Sequence, residues 1–357
     1  MNTSHPRAVP TTSSKTTSRS RSAKPQSSAA AGSDSAPIIG VDIGGTKCAV
    51  LIGSTDGKIL HKSVFPTDTA GGLEKTLNNL WKNIEAALAL TNGAAPVFGI
   101  SCGGPMNSRE GLVLSPPNLP GWDNVPITRL ITERFGGRAY LMNDANAGAL
   151  AEWKWGAARG TQDAIFLTFG TGMGSGIIIG GRMHAGRDDL AGEVGHVRMA
   201  DEGPVGFNKA GSFEGFCSGG GITRLAQSRV RAAWRKGESV AFCADETALE
   251  KLDVKTVADA ARRGDALARD VFETSAFYLG RGLAILVDVL NPEAIVIGSV
   301  FARCEDLLRP TAMRVLAEEA LAPAVQRCKI VPAGLGEAIG DYAALAIAFA
   351  GLSGELD

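Results

Sequence analysis

Short apolar runs separated by glycine-containing turns open the patterned part of the chain. APIIGVDIGG, CAVLIGS and ILHKSVFP read as extended segments joined by the turns GTK and TDGK, which predicts an antiparallel meander. The next stretch, GGLEKTLNNLWKNIEAALALTNG, predicts a helix that ends at Gly93, because its apolar residues recur at helical spacing. These residues are Leu73, Leu77, Leu80, Trp81, Ile84 and Leu88.

The opening pattern returns in the second half of the chain. AIFLTFGTGMGSGIIIGGRM, which begins at residue 164, repeats the strand, glycine-rich turn and strand of IIGVDIGGTKCAVLIG. Between them, VFGISCGG and AYLMNDA predict strands, and the second strand runs into the helix NAGALAEWKWGAARG. The repeat predicts two related halves, each built on its own sheet.

Long helices and short strands alternate through the rest of the chain. Helices are predicted at 219–236, 255–263, 265–290 and about 305–321, and GDYAALAIAFAGL predicts a last one. EAIVIGSV and QRCKIVPAG predict strands among them. The alternation places the protein in the α/β class, with mixed sheets flanked by helices.

Bulk composition limits the classes of function. The chain has 357 residues, 45% hydrophobic and 20% charged, with a net charge of -1. The length predicts about two domains, and the near-neutral charge argues against a nucleic-acid or membrane partner. Six cysteines without a C-x-x-C pair favour reduced thiols in a cytoplasmic protein. No apolar run approaches the ~18 residues of a membrane span.

The first 36 residues have a composition of their own. They are basic and rich in Ser and Thr, with Asp34 as the only acid, and they lack a hydrophobic period. We therefore predict a disordered tail over residues 1–36. A transit peptide has the same acid-poor composition and stays a second interpretation, whereas the missing apolar h-region argues against a secretory signal.

Two glycine-rich turns indicate a phosphate site. DIGGTK and TFGTGMGSG let backbone N–H groups approach an anion, and Asp42 is placed to hold a hydrated Mg²⁺. Neither turn is a Walker A loop, and each alone reads equally well as a plain hairpin turn. Together they favour a nucleotide site. Its predicted residues are Asp42, Gly44, Gly45, Thr46, Lys47, Gly170, Thr171, Gly172 and Gly174.

Asp144 stands where a predicted strand passes into a helix. One interpretation is that it caps the helix. The other is that it is a general base, since a kinase acting on an alcohol needs a carboxylate to accept the hydroxyl proton. The two roles are compatible.

IIGVDIGGTK, LMNDANAGALAEWKWGAARG and FLTFGTGMGSGIIIGGRMHAGRDDLAGEVGH, in this order and spacing, resemble the ROK family (repressor, open reading frame, kinase) of the actin/hexokinase/Hsp70 superfamily. The likeness covers Pro37 to Leu352. It implies a two-domain actin-like, ribonuclease H-like fold with a central cleft for ATP-Mg²⁺ and a sugar, and a homodimer. The implied domains are 37–142 and 143–339, with a helix at about 340–352 packing back on the first.

The resemblance also implies roles for single residues. Asp144 becomes the general base, and Gly298 in IVIGSV lies in the nucleotide half. Carboxylates and amides suit vicinal sugar hydroxyls, although a core histidine and solvated loop glutamates remain the alternatives. The implied sugar contacts are Gly104, Asn118, Asn143, Asp144, Glu193, His196 and Glu214.

One segment departs from the family pattern. Many ROK proteins carry C-x-C-G-x-x-G-C-x-E after the histidine and bind structural Zn²⁺ there. Here the segment reads VGFNKAGSFE, so Val205, Phe207 and Ser212 replace the thiolates. We therefore predict no zinc site, with Phe207 and Phe213 packing in its place.

The sequence predicts an ATP-dependent hexose kinase that phosphorylates glucose at its 6-hydroxyl. N-acetylmannosamine, N-acetylglucosamine, fructose and allose stay open as substrates, and polyphosphate as donor. The second class is a sugar-responsive ROK transcriptional regulator, which needs an N-terminal helix-turn-helix that the short, proline-containing tail does not resemble. A carbohydrate-binding pseudokinase is the third.

Overall fold

Two five-stranded sheets carry the fold, and helices pack on their faces. The computed structural model describes residues 37–91, 93 and 95–356, so the predicted tail of residues 1–36 lies outside the described residues. In chain order the strands are β1 (Ile38–Ile43), β2 (Lys47–Gly53), β3 (Ile59–Pro66), β4 (Val97–Cys102), β5 (Met106–Asn107), β6 (Leu112–Val113), β7 (Arg138–Asn143), β8 (Ala164–Leu167), β9 (Ser175–Ile179), β10 (Arg182–Met183), β11 (Val205–Gly206), β12 (Lys209–Ala210), β13 (Ala294–Ile297) and β14 (Lys329–Pro332). The α-helices are α1 (Gly72–Leu88), α2 (Ile127–Phe135), α3 (Asp144–Trp155), α4 (Phe213–Cys217), α5 (Gly219–Arg235), α6 (Glu246–Glu250), α7 (Val254–Arg262), α8 (Ala266–Leu290), α9 (Val300–Arg303), α10 (Glu305–Glu319), α11 (Ala322–Val325) and α12 (Ile339–Leu352).

The first sheet has the strand order β3-β2-β1-β4-β7. Its first three strands are antiparallel, which confirms the predicted meander, and β4 and β7 run parallel to β1. Alternate residues of β4 serve opposite faces. Phe98 packs with Leu80 and Ile84 of α1, whereas at Gly99 any side chain would collide with the backbone of α12. The sheet is thus covered on both faces.

The second sheet has the order β10-β9-β8-β13-β14 and the same pattern of antiparallel and parallel pairs. This match confirms the predicted repeat of two related halves. Its largest core forms around α8, where Phe272, Leu279 and Leu283 are buried with the strand residue Ile165. Among the described residues, no helix is both long and apolar enough to span a membrane.

The parallel strands of each sheet end at one edge. Asp42, Ser101 and Met142 lie in register, each one residue before the end of its strand. In the second sheet β8 and β13 end together at Leu167 and Ile297. Ligands of open α/β sheets bind beyond the carboxyl ends of the strands, so these two edges are where a site is expected.

The predicted long helices correspond to α5, α7, α8, α10 and α12, and α12 contacts β1 and β4 of the first sheet. It also packs on α3, where Ala147 and Leu150 share a cluster with Ala343 and Ile347. The division of the chain between residues 142 and 143 stays a prediction. Helix α2 and the two-residue hairpins β5–β6 and β11–β12 were not predicted from the sequence.

Candidate active site

Three cavities lie beyond the carboxyl ends of the strands, and they share lining residues. The first measures 590 Å³, the second 270 Å³ and the third 900 Å³. Asp144 and Thr168 line both the first and the second, Gly170 and Thr171 line the first and the third, and Ser299 lines the second and the third. The three form a continuous site that encloses Asp144 from two sides.

The start of α3 fixes the position of Asp144. Asn143, the last residue of β7, is the N-cap, and the backbone N–H of Ala145 donates to its Oδ1 at 2.9 Å. The interpretation of Asp144 as the cap is therefore wrong, because Asp144 is already the first helical residue. Its Oδ1 accepts a bond of 2.9 Å from the same N–H. The carboxylate lines two cavities and stays available for chemistry.

Asp144 and Asp42 have perturbed acidities. Burial within the surrounding protein raises the pKa of Asp144, and the charge of Glu193 adds to this effect, while the N–H of Ala145 opposes it. Burial and the charges of Asp144 and Asp341 raise the pKa of Asp42 to about 7. The charge of Asp144 disfavours the ionisation of Asp42 at the cavity that both line, and such repulsion favours a cation there.

The turn after β8 is held from three sides. Thr168 Oγ1 accepts from the N–H of Gly174 at 2.8 Å, and Glu214 Oε2 accepts from the N–H of Met173 at 3.0 Å. At the first residue of α5, the N–H of Gly219 donates to the carbonyl of Gly170 at 2.7 Å. The turn is therefore preorganised and does not depend on a ligand for its shape.

The turn after β1 differs. The N–H of Gly44 donates to the carbonyl of Lys47 at 3.1 Å, and a side chain at Gly45 would lie 2.5 Å from the carbonyl of Asn118. Asp42 lines the 270 Å³ cavity, but Gly44, Gly45, Thr46 and Lys47 line none of the three. Of the predicted nucleotide residues in this turn, the structure thus brings only Asp42 to the cavities.

The predicted sugar ligands fall into two groups. Asn118, Asn143 and Glu193 line the 590 Å³ cavity with Asp144, and Gly104 lies beside the amide of Asn143. His196 and Glu214 do not line that cavity. Among the nucleotide residues, Gly170, Thr171, Gly172 and Gly174 line it, and Gly298 lines the 270 Å³ cavity.

The hairpin β11–β12 occupies the segment where the sequence predicts no zinc. Val205 and Phe207 carry no ligand atom, and the hydroxyl of Ser212 caps α4 by accepting from the N–H of Gly215 at 3.1 Å. Instead of metal ligation, Lys209 Nζ donates to the carbonyl of His196 at 2.7 Å. The donor set does not fit the thiolate and imidazole ligands of structural zinc.

Of the two phenylalanines that were predicted to pack in place of a zinc site, one is buried and the other is exposed. Phe213 is buried, 1% exposed, where it contacts α8 at Gly282. The prediction for Phe207 is wrong, because its side chain is 64% exposed and makes only an edge contact with the His196 ring, centroids 5.0 Å apart. The cause is the tight turn, in which Phe207 and Asn208 both have positive φ, 38° and 63°.

Several residues that line the cavities were not predicted from the sequence. Asp189 and Ser175 line the 590 Å³ cavity. Ser299, with φ of 52°, is held in a conformation that non-glycine residues rarely adopt, which is typical of functional sites. A local signal exists for Gly219 and Gly220, which line the 900 Å³ cavity, because they belong to a run of three glycines that opens α5 beside the turn after β8. Tertiary placement, not local pattern, brings in the others.

Two halves of equal topology, with strand ends and an aspartate at a shared cavity, define the actin/hexokinase class of proteins. The chain belongs to the ROK family, whose model matches residues 38–350.

Sugar kinases and a transcriptional regulator are among the proteins that this chain resembles. The chain is 37% identical over 233 residues to a glucokinase of Thermotoga maritima, which covers 65% of this chain and 71% of that protein. It is 30% identical over 245 residues to an N-acetylmannosamine kinase of Shigella boydii, 68% of this chain and 76% of that protein. A ROK family glucokinase from Streptomyces griseus in complex with glucose and AMPPNP matches with TM-score 0.67 and 29% identity, over 87% of this chain and 98% of that one. A ROK family transcriptional regulator matches with TM-score 0.79, 24% identity, over 90% and 79%, which shows the fold alone.

Proposed function

We propose that the protein is an ATP-dependent sugar kinase that phosphorylates glucose at its 6-hydroxyl. The observation that carries the proposal is the Asp144 carboxylate at the junction of two cavities. A carboxylate of raised pKa is a stronger base than an ordinary aspartate, which suits it to accept the hydroxyl proton as the phosphoryl group transfers. The glucokinases among the relatives support glucose, and the N-acetylmannosamine kinase marks the chief competitor.

The sugar is placed in the 590 Å³ cavity. Asn118, Asn143 and Glu193 line it beside Asp144 and offer amide and carboxylate groups that pair with vicinal hydroxyls. A ring held by these groups would present one hydroxyl to Asp144. The same groups reject analogues that lack a hydroxyl, because a polar group that the bound ring covers is then left unpaired.

The nucleotide is placed in the 900 Å³ cavity. Thr171 and Gly220 form its wall next to the sugar cavity, while Val254, Ala258 and Val300 supply apolar surface for a base. Lys255, Arg262 and Arg303 also line it, and each is paired with a carboxylate, that of Asp259, Asp306 and Glu337 respectively. A donor bound here reaches Asp144 across the turn after β8.

Mg²⁺ would be held by Asp42, through water. The fit rests on the chemistry of the cavity, since the carboxylates of Asp42 and Asp144 both line the 270 Å³ cavity. The pKa of Asp42, which burial and the neighbouring carboxylates raise to about 7, agrees with it, because a cation relieves their repulsion. When bound, the ion supplies charge neutralisation for the phosphates.

The test is a coupled ADP-release assay over glucose, N-acetylmannosamine, N-acetylglucosamine, fructose and allose, with the Asp144→Asn variant beside the wild type. We expect the highest kcat/KM with glucose, and a fall in kcat of about 10²–10⁴-fold in the variant, with KM for glucose nearly unchanged. Sugar-dependent ADP release that persists in the variant would overturn the assignment of Asp144. A wild type that binds glucose but releases no ADP would favour the pseudokinase or regulator.

A homodimer is part of the proposal. Phe277, Ile285 and Val289 are 38, 42 and 73% exposed on α8, at spacings of eight and four residues that bring them towards one side of the helix. Leu321, 67% exposed, lies beside them, because its N–H donates to Asp288. Sedimentation of wild type and Val289→Glu is expected to show a dimer that dissociates in the variant; a wild-type monomer contradicts it.

A further inference from the structure

Asp189 links the two halves of the chain at the 590 Å³ cavity. The N–H of Ser108 donates to Asp189 Oδ2 at 2.7 Å, and the Ser108 hydroxyl donates to Oδ1 at 2.6 Å. Ser108 follows β5 on the side of the first sheet, whereas Asp189 belongs to the segment after β10 of the second. One residue of one half thus binds both oxygens of a carboxylate from the other.

The segment that carries Asp189 is closed at its base. The N–H of Ala191 donates to the carbonyl of Ala185 at 3.1 Å, and the carbonyl of Gly192 accepts from both the N–H and the hydroxyl of Ser175, at 3.1 and 2.8 Å. Gly186 and Gly192 have φ of 78° and 91°, and Asp189 itself has φ of 59°. Residues 185–192 therefore form a loop with a fixed base, which we name the strap, and Asp189 ties its free end to Ser108.

The strap builds one wall of the sugar cavity. Asp189 and Ala191 line that cavity, and Glu193 follows directly. Asn118, which belongs to the half of the first sheet, also lines this cavity. Bonds of 2.6 and 2.7 Å tolerate only small changes in length. Both are therefore lost if the strap moves away from Ser108, and the wall moves with it.

We propose that Asp189 and Ser108 form a latch that holds the strap, and with it Glu193, in place around the sugar. Asp189 is a positioning residue, not a catalytic one. This inference rests on the sugar-kinase function proposed above. The neighbouring acid supplies a matched control, because Asp188 is 69% exposed at its side chain and pairs only loosely with the exposed Arg187, at 3.6 Å.

The test is a double-mutant cycle of Asp189→Ala and Ser108→Ala, with Asp188→Ala as control, in glucose-dependent ADP release. Losing a charge-assisted bond pair predicts a rise in sugar KM of about 10-fold or more for Asp189→Ala, with KM for ATP nearly unchanged. The melting temperature should fall by no more than a few degrees, because the two bonds are only half-buried. Ser108→Ala, which keeps its N–H, should show a smaller rise. The double variant should equal Asp189→Ala, because both changes break the same latch. Asp188→Ala should match the wild type.

Other outcomes overturn the latch in distinguishable ways. A rise in KM for Asp189→Ala with no effect of Ser108→Ala, or strictly additive effects, makes Asp189 a direct sugar ligand. An equal fall in melting temperature in both variants, with unchanged KM, makes the bonds merely structural. A wild type inactive on every sugar overturns the proposed function itself. If Asp189→Ala does not fold, Ser108→Ala and Asp189→Asn decide by the same comparison.

Discussion

Glu152 joins the helix of Asp144 to the loop beside the 270 Å³ cavity. Its side chain is fully buried, 0% exposed, near the end of α3, and three backbone N–H groups donate to it. That of Ala157 lies 2.7 Å from Oε2, that of Gly334 3.1 Å from Oε2, and that of Leu335 2.9 Å from Oε1. Gly336 and Ile339, just beyond, line the cavity with Asp42 and Asp144. We therefore expect Glu152→Gln to weaken both the fold and the site.

The size of the effect follows from which oxygen becomes an amide. If the amide nitrogen replaces Oε2, the N–H groups of Ala157 and Gly334 both lose their acceptor. If the amide is flipped, only the N–H of Leu335 does. The less costly arrangement loses one charge-assisted bond and leaves the new amide N–H facing the N–H of Leu335. This loss lowers the free energy of unfolding by about 2–4 kcal/mol. For the roughly 320 described residues, at about 2 cal/mol/K of unfolding entropy each, the melting temperature falls by about 3–6 °C.

Thermal unfolding followed by circular dichroism measures this change. Glu318→Gln is the matched control, because Glu318 is an exposed partner of Arg314, 58% exposed at its side chain, and such pairs contribute little. The control should melt within about 1 °C of the wild type. If Glu152→Gln also melts there, the three bonds do not hold the loop against α3, and the fold does not depend on them.

Two further predictions concern acidity and metal. Because burial raises the pKa of Asp144, kcat/KM should fall on acidification at a pH above the range in which ordinary aspartates titrate. For the same reason the ionised carboxylate opposes folding, so the free energy of unfolding of Asp144→Asn should exceed that of the wild type by more at pH 8 than at pH 4. An equal difference at both pH values, measured by urea titration, contradicts the raised pKa. The donor set around His196 predicts that a zinc-selective chelator, followed by Mg²⁺ replenishment, leaves melting and activity unchanged; one equivalent of zinc in elemental analysis would contradict it.

The elements that the sequence predicts are those whose burial leaves a local trace. β8 is a continuous apolar run before a glycine turn, and β1 is apolar apart from Gly40 and Asp42, because both faces of their sheets are covered. The separate hairpins β5–β6 and β11–β12, whose strands are two residues long, leave no such trace. Glu152 reads like any helix-surface glutamate, because its burial depends on residues 334 and 335, some 180 positions away.

Some residues of the candidate site were predictable from the sequence and others were not, for the same reason. Asp42 and Asp144 were predicted because strand ends and helix starts are legible in the sequence, and both line the cavities. Asp189 was not, because its partner Ser108 lies 81 residues earlier in another half. The outward position of Phe207 depends on backbone φ in a turn that carries no glycine. Long-range contacts and unusual turn conformations are the information that local patterns lack.

Glu214 couples the turn after β8 to the start of α5. Its Oε2 already accepts from the N–H of Met173 and lies 3.0 Å from where a side chain at Gly172 would begin. The carbonyl of the same residue accepts from the N–H of Ser218, the N-cap of α5, whose first N–H groups hold the carbonyls of Gly170 and Thr171. Glu214 does not itself line the 590 Å³ cavity. Its side chain and its carbonyl nevertheless join the turn after β8, which does line it, to the start of α5.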